Sequence, residues 1–329
     1  MDPVIWQGDP PELRSPALVC AFAGWNDAAS AASAALETVA ASFDSDVAAR
    51  IDPEEFYDFQ VNRPTIRLVE GQTRQIDWPQ NTLLTVSVPT AERDLVLLSG
   101  VEPNVRWRTF ADAILAAAER LGVQMVITLG ALIADVAHTR PVPITGLASD
   151  PELVEQLGLS RSSYEGPTGI VGVVHDACRR REIASASLWA AVPHYVAAVP
   201  NPKAALALLR RLEGLTGIAV EASDLEDATE RFEEQVDRAI SANPEIEELV
   251  RNLEAAQEGE FEPSQDVPSA DDIAQEFQRF LRQRTLGSIP LSRTRSRSAL
   301  GTLTVRSVFC GQSIWLVWPS TRRIVGRFT

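Results

Sequence analysis

The amino-acid sequence predicts an α/β fold in which a twisted, mainly parallel sheet is covered by helices on both faces. Short apolar runs, of the kind that form strands buried on both faces, alternate along residues 1–218 with stretches of helical periodicity. Alternation of this kind is typical of strand–helix–strand units, whose connections place helices against a parallel sheet. The chain has 329 residues, 45% of them apolar, which is enough for such a core.

The strand and helix candidates follow from apolar runs and from the residues that interrupt them. Residues 16–23 form the first strand, and Asn26 or Asp27 can cap a helix over 28–42. Further strands are predicted over 82–88, 95–98, 123–129 and 185–192, and further helices over 106–121, 151–157, 170–180 and 202–214. Two of these helices begin at Asp150-Pro151 and Asn201-Pro202, which pair a capping residue with proline at the first helical position.

A β-hairpin is predicted over residues 65–78, inserted between core elements. Two alternating runs flank Gly71-Gln72, which forms the turn. One apolar stripe runs along the hairpin, formed by Ile66, Leu68, Ile76 and Trp78. An isolated two-stranded ribbon cannot bury such a stripe, so we expect it to contact another subunit in a homo-oligomer.

Two or three acidic helices are expected between residues 219 and 284. Ser223 to Glu226 forms a capping box, Asn243-Pro244 opens the next helix and Ser269 to Asp272 opens the last. A segment this acidic buries little apolar surface by itself. We therefore expect it to lie as a lid on the core domain, residues 1–218.

The segment 285–329 differs in composition from everything before it. It holds seven arginines, no lysine and no acidic residue, in a chain with 30 basic and 45 acidic residues. A frameshift or an artificial end of the sequence explains this composition better than a selected basic arm.

Charge and cysteine content exclude several classes of protein. The formal net charge of −15 argues against a nucleic-acid partner, since phosphate-backbone binding requires the opposite balance. Cys20, Cys178 and Cys310 are far apart, which argues against a disulfide framework and a structural zinc site. No signal peptide and no apolar run of membrane-spanning length is recognisable. We expect a soluble cytoplasmic protein that needs no metal or cofactor and binds no membrane.

Polar residues follow several predicted strands, at the edge where open α/β sheets bind ligands. A small polar or anionic ligand could bind among Asn26, Asp27, His138, Thr139, Arg140, His194 and Tyr195. Gly166 to Gly169, with Thr168, precede a helix whose free amides could add an anion site. The alternative is that these residues cap helices, pair with neighbouring carboxylates or form tight turns, without any ligand. No GxSxG, P-loop, HExxH or GxGxxG signature accompanies them.

Several short motifs, in their order and spacing, resemble the proteasome assembly chaperone 2 family, and most closely its bacterial branch from high-GC organisms. The motifs include Phe22-Ala-Gly-Trp-Asn-Asp-Ala28, Glu102-Pro103, Leu129-Gly130, His138-Thr-Arg-Pro141, Tyr164-Glu-Gly-Pro-Thr-Gly169 and Ser187 to Tyr195. The resemblance covers about residues 4–284. It implies a three-layer α/β/α sandwich similar to the phosphorylase/hydrolase fold, a trimer, and a C-terminal helical segment near the cleft.

Two hypotheses of function remain open at this point. The resemblance favours a non-enzymatic chaperone or adaptor with proteasome-related protein partners, because eukaryotic and archaeal relatives act around the proteasome. The fold and the polar sheet edge favour a small-molecule binder or an enzyme of the hydrolase or phosphorylase type. Catalytic residues of phosphorylases cannot be transferred, because no motif here matches theirs.

Overall fold

A nine-stranded sheet lies at the centre of the first of two units, residues 1–282, in a computed structural model of the chain. The structure describes residues 2–69, 73–149, 160–161, 165–258, 304–305 and 316–317. The second unit, residues 283–329, contributes two short antiparallel strands, Thr304–Val305 and Leu316–Val317, to this description. The predicted helices at 151–157 and 269–284 and most of the arginine-rich segment lie outside the described residues.

The strands and helices of the first unit have the following bounds. The strands are β1 (Val4–Trp6), β2 (Ala17–Ala23), β3 (Ser45–Ile51), β4 (Thr65–Val69), β5 (Thr73–Asp77), β6 (Asn81–Val86), β7 (Leu95–Val101), β8 (Met125–Ala134), β9 (Ile144–Ala148), β10 (Ser160–Arg161) and β11 (Ala184–Pro193). The helices are α1 (Ala31–Ser42), α2 (Trp107–Arg120), α3 (Ile170–Arg180), α4 (Pro202–Thr216), α5 (Ser223–Ile240) and α6 (Pro244–Glu258). The predicted α/β class is confirmed.

The main sheet is mixed, with parallel pairs at its centre and in the edge pair β9/β10. Its order is β1-β3-β6-β7-β2-β8-β11-β9-β10, and the four strands from β7 to β11 are mutually parallel. The pairs β1/β3, β3/β6, β6/β7 and β11/β9 are antiparallel. Four of the eight neighbouring pairs are parallel and four are antiparallel, so the sheet is mixed rather than mainly parallel. The short loop 87–94 between β6 and β7 gives the reason, because a parallel pair requires a crossover of a dozen residues or more.

Helices cover both faces of the sheet. This arrangement explains why the sequence of β2 is continuously apolar. Ala17, Val19 and Ala21 pack in one cluster with α1 and α4. Leu18 and Phe22 pack in the opposite cluster with α2 and α3. Since successive strand residues point to opposite faces, a strand between two helical layers needs apolar residues at every position. The result is the three-layer sandwich.

Helices α5 and α6 form a third apolar cluster over one edge of the sheet. Their residues Phe232 and Val250 pack around Tyr195 and Val196, which follow β11, and around Ala137, which follows β8. The helix α5 begins at Ser223, but no side chain caps its first turn, so the expected capping box is not formed. No helix in the described part of the chain is long and apolar enough to cross a bilayer.

Candidate functional site at the sheet edge

The central strands reverse their order between β2 and β8. After β2 the chain adds β3, β6 and β7 on one side of β2, and after β8 it adds β9, β10 and β11 on the other side. The β2/β8 ladder ends at Cys20 and Thr128, and the strands separate until Asp27 bridges to Ala131. Open α/β sheets bind ligands at such a switch point, so the carboxyl ends of β2 and β8 define the candidate site.

Glu102, at the end of β7, is the centre of the polar contacts beside the switch point. Its Oε1 accepts hydrogen bonds from Asn26 Nδ2 at 2.6 Å and from the Ile170 N–H at 2.8 Å. Its Oε2 accepts from the Trp25 N–H at 3.2 Å. Ile170 is the first residue of α3, so this carboxylate lies at the positive end of that helix. The Glu102 carboxylate thus accepts the Ile170 N–H, which is one of the amides at the start of α3 that the sequence predicted could bind an external anion.

Asn26 lies between this carboxylate and the start of α3. Its side chain is buried, and its Oδ1 has no hydrogen-bond partner. A Cβ atom at Gly169 would lie 2.2 Å from that oxygen, which means that α3 can approach Asn26 only because residue 169 is glycine. Asn26 therefore positions α3, and its Oδ1 remains a buried acceptor without a hydrogen-bond partner.

Asp27 caps helix α1. Its Oδ1 accepts from the N–H groups of Ala32 at 2.7 Å and Ser33 at 3.3 Å, and its Oδ2 accepts from the Ser33 hydroxyl. Burial raises the pKa of the Asp27 carboxyl, and these hydrogen bonds offset part of that rise. The geometry matches the capping role that the sequence left as an alternative to ligand binding.

His138 connects three elements at the other side of the switch point. Its Nε2 lies 2.9 Å from Asp237 Oδ1 on α5, and its Nδ1 lies 2.8 Å from Tyr195 Oη. A carboxylate only accepts, so the neutral imidazole carries its proton on Nε2 and accepts at Nδ1 from the tyrosine hydroxyl. Burial raises the pKa of Tyr195, which keeps that hydroxyl protonated.

Two further polar contacts attach α5 and α6 to the same loop. Lys203 Nζ donates to the backbone oxygen of His138 at 2.5 Å and pairs with Glu233 Oε1 at 2.6 Å. The hydroxyl of Thr139 donates to Glu254 on α6. Glu233 and Glu254, which face the sheet edge, thus accept hydrogen bonds from core residues. The sequence did not predict these pairs, because the two members of each pair are far apart along the chain.

Of the remaining predicted site residues, His194 lies edge-on beside Tyr195, with 5.4 Å between the ring centroids. Arg140 is half-buried, and its backbone N–H donates to Ala137 at 3.3 Å. His194 Nδ1 lies 3.1 Å from Asp135 Oδ1, but not in hydrogen-bonding geometry. Gly166 and Thr168 are exposed before α3.

The structure thus forms two polar groups with different partners, Asn26 with Glu102 and α3, and His138 with Tyr195 and α5. Asp27 joins neither group, because its carboxylate is used in capping α1. Among the described residues, no group of three or more His, Cys, Asp or Glu side chains is arranged to hold a metal ion.

Comparison with known proteins identifies relatives that share both sequence and fold. A PAC2 family protein from Streptomyces avermitilis is 47% identical, with a TM-score of 0.67 over 71% of this chain and 99% of that chain. A proteasome-assembly chaperone homologue from Mycobacterium tuberculosis is also 47% identical, with a TM-score of 0.66 and the same coverage of both chains.

A more distant structure shares the fold alone. Pyrococcus furiosus PbaB, an archaeal proteasome activator, is 15% identical with a TM-score of 0.59, over 71% of this chain and 97% of that chain. No curated protein gives a significant match. The PAC2 family model matches residues 21–240, most of the described core. The chain belongs to the PAC2 family.

Proposed function

We propose that this protein is a non-enzymatic chaperone or adaptor that acts on proteasome-related proteins in the cytoplasm. The bacterial relative from M. tuberculosis is described as a proteasome-assembly chaperone homologue, and the archaeal one as a proteasome activator. The two described cysteines, Cys20 and Cys178, are buried free thiols, which fits a reducing compartment.

The observation that carries this proposal is that polar side chains at the sheet edge form hydrogen bonds with other parts of the protein. Both ring nitrogens of His138 are engaged, Asp27 caps α1 and Glu102 caps α3. These bonds hold the helices and loops in place, as a scaffold requires, whereas a general base needs a nitrogen or oxygen directed at a substrate. The enzyme hypothesis is accordingly not favoured.

The same proposal includes self-association through the hairpin. Ile66, Leu68, Ile76 and Trp78 are each about half exposed or more, at 62%, 63%, 50% and 48%. A cyclic homo-oligomer, which we propose to be a trimer, would bury these side chains. An exposed apolar surface of this kind promotes aggregation of a free monomer, whereas an assembly that buries it is stabilised.

The test is a binding and assembly assay with separately purified proteasome α and β subunits. We expect a complex between the protein and one subunit type on native gels, and a changed rate of particle assembly. Cleavage, hydrolysis or phosphorolysis activity with no subunit binding at tens of micromolar would contradict the proposal.

A bound small molecule stays a prediction that a separate measurement can test. Asn26 Oδ1 is a buried acceptor without a partner, so it suits a ligand that donates an N–H or O–H group better than an anion. Native mass spectrometry of the freshly purified protein would detect a retained ligand as added mass. If neither the protein nor an Asn26→Ala variant carries mass beyond that of its polypeptide, the ligand hypothesis is wrong.

A further inference from the structure

The chain contains a single lysine side chain, and all its other basic residues are arginines. A lysine amine is the group that acylation, methylation and isopeptide tagging modify, whereas the guanidinium of arginine stays charged and takes no acyl group under the same conditions. Lysine-directed modification of this chain therefore falls on one atom, Lys203 Nζ.

The Lys203 amine is masked by contacts on two sides. It donates to the backbone carbonyl of His138 at 2.5 Å, and it pairs with Glu233 Oε1 on α5 at 2.6 Å. Its side chain is only 17% exposed. A nitrogen that attacks an acyl carbon must lose a proton and present its lone pair to the reagent. The contacts with the carbonyl and the carboxylate oppose both steps.

The position of Lys203 in its helix makes these contacts necessary. Lys203 is the second residue of α4, which begins at Pro202. A positive charge is unfavourable in the first turn of a helix, because the positive end of the helix dipole lies there. Conversion of the amine to a neutral amide would relieve this unfavourable charge, and it would also remove the cationic partner of Glu233 on α5.

The part of α5 that carries Glu233 is held separately from the core of the sheet. Residues 232–258 pack in the third apolar cluster, around Tyr195 and Val196, and this cluster shares no residue with the two clusters on the faces of the sheet. In α5 only Leu225, in the first turn, packs in a core cluster. Local opening of residues 232–258 thus breaks the contacts at the sheet edge and leaves the sheet intact.

We propose that Lys203 is a masked modification site, and that acylation of its amine and docking of residues 232–258 exclude each other. Opening removes Glu233 and exposes the amine, whereas an acyl group on Nζ occupies the space that α5 needs and pairs with no carboxylate. By linkage, acylation favours the open state by the same factor by which opening favours acylation. This switch goes beyond the proposed chaperone function and does not depend on proteasome binding.

The chemical class of co-substrate is an acyl donor such as a thioester or an acyl phosphate. The deprotonated Nζ attacks the acyl carbon and forms the N–C bond. The thiolate or phosphate leaves with the electron pair of the broken C–S or C–O bond, and the nitrogen releases a proton to water. The product is a neutral amide, and the open state that it favours uncovers the apolar surface of Tyr195 and Val196.

Timed acetylation of the full chain tests the proposal, with N-hydroxysuccinimidyl acetate as the probe and peptide mass spectrometry as the readout at Lys203. The folded wild type should react about tenfold or more slowly than the urea-unfolded protein. Asp237→Ala removes the contact between α5 and His138 without touching Lys203, and it should accelerate acetylation about threefold or more. Glu234→Ala, at an exposed position of α5, is the matched control and should react like the wild type.

A second pair of measurements separates local opening from global unfolding. Asp94→Asn weakens the contact with Arg14 and leaves α5 unchanged, so it should not accelerate acetylation in the folded protein. The acetylated protein, separated by ion exchange, should show faster hydrogen–deuterium exchange in residues 232–258 and unchanged exchange in β2 and β8.

Four results would overturn the proposal. Acetylation of the folded wild type within about twofold of the unfolded rate would show that the amine is not masked. Equal acceleration by Asp94→Asn and Asp237→Ala would show that only global unfolding exposes it. An acetylated protein with unchanged exchange in residues 232–258 would show that docking tolerates the acyl group. Absence of acetylation in Asp237→Ala, while the unfolded chain reacts, would show that α5 does not open.

Discussion

Lys203 Nζ donates to the backbone carbonyl of His138 across 2.5 Å, and this contact joins α4 to the loop after β8. Lys203 is the only lysine among the 30 basic residues of the chain. The same ammonium pairs with Glu233 on α5, so one side chain connects the core, the sheet edge and the C-terminal helices.

Replacement of Lys203 by Met should lower the free energy of unfolding by about 1–3 kcal/mol. The side chain is 17% exposed, and its loss leaves the His138 carbonyl and the Glu233 carboxylate without their donor. Urea unfolding followed by circular dichroism measures the change. Arg238→Met is the control, because its pair with Glu234 is exposed and should contribute less than about 0.5 kcal/mol. Equal effects of the two variants would contradict the role given to Lys203.

Replacement of Asp237 by Ala should loosen α5 and α6 without unfolding the sheet. His138 Nε2 then loses its acceptor, while the core clusters on both sides of the sheet are untouched. Hydrogen–deuterium exchange should accelerate in residues 223–258 and stay unchanged in β2 and β8. Glu234→Ala, at an exposed position of the same helix, should exchange like the wild type. Faster exchange throughout the sheet would show that the contact stabilises the whole domain instead.

Two glycines of the α3 region should respond to alanine with opposite effects. At Gly169 the new Cβ would lie 2.2 Å from Asn26 Oδ1, which is buried and held by Glu102, so we expect a loss of about 1–3 kcal/mol. At Gly172 the nearest atom is the hydroxyl of Thr168, an exposed side chain that can rotate away. Alanine there should be neutral or should add up to about 1 kcal/mol through helix propensity. Thermal unfolding of both variants checks the pair, and a stable Gly169→Ala protein would refute the tight approach.

The contact between Arg14 and Asp94 should make stability depend on acid. Burial alone would raise the pKa of Asp94, but hydrogen bonds from the Arg14 guanidinium and from the N–H groups of Arg14 and Val88 hold it below its ordinary value. The folded pKa is thus below the unfolded one, so the stabilisation is complete above about pH 4 and is lost as pH falls through the folded pKa.

Asp94→Asn removes this acid dependence. The variant should be about 1–3 kcal/mol less stable than the wild type at pH 7, and the difference should shrink below about pH 4. Denaturant titrations at pH 7, 5, 4 and 3 provide the measurement. A difference that stays constant over this range would mean that the carboxylate charge contributes nothing.

The sequence was most informative where one chain segment determines its own structure. The apolar run at 16–23 corresponds to β2, the proline-initiated helix at 202 begins at Pro202, and the hairpin predicted over 65–78 contains β4 and β5. Asn201 caps its helix as expected, accepting from the Ala204 N–H at 3.0 Å. Local patterns of this kind depend on steric and hydrogen-bonding preferences within a few residues.

Features that depend on distant contacts were not predictable in the same way. Strand β3 has the sequence SDVAARI, which lacks a continuous apolar run because it lies near the edge of the sheet. Glu102 was visible only as part of a family motif, because its role depends on Asn26 and Ile170, which are 76 and 68 residues away. The partners of His138 lie on α5 and beside β11, and no local pattern connects them.

The residues of the third apolar cluster are synthesised at different times, because they are far apart along the chain. Tyr195 and Val196 are made as soon as β11 is complete, but Leu253, the last residue of the cluster, follows β11 by 60 residues. At about 5–20 residues per second, the ribosome leaves this edge of the finished sheet uncovered for about 3–12 s. During that interval, the nascent protein exposes to cellular chaperones and proteases a surface that α5 and α6 cover in the folded protein.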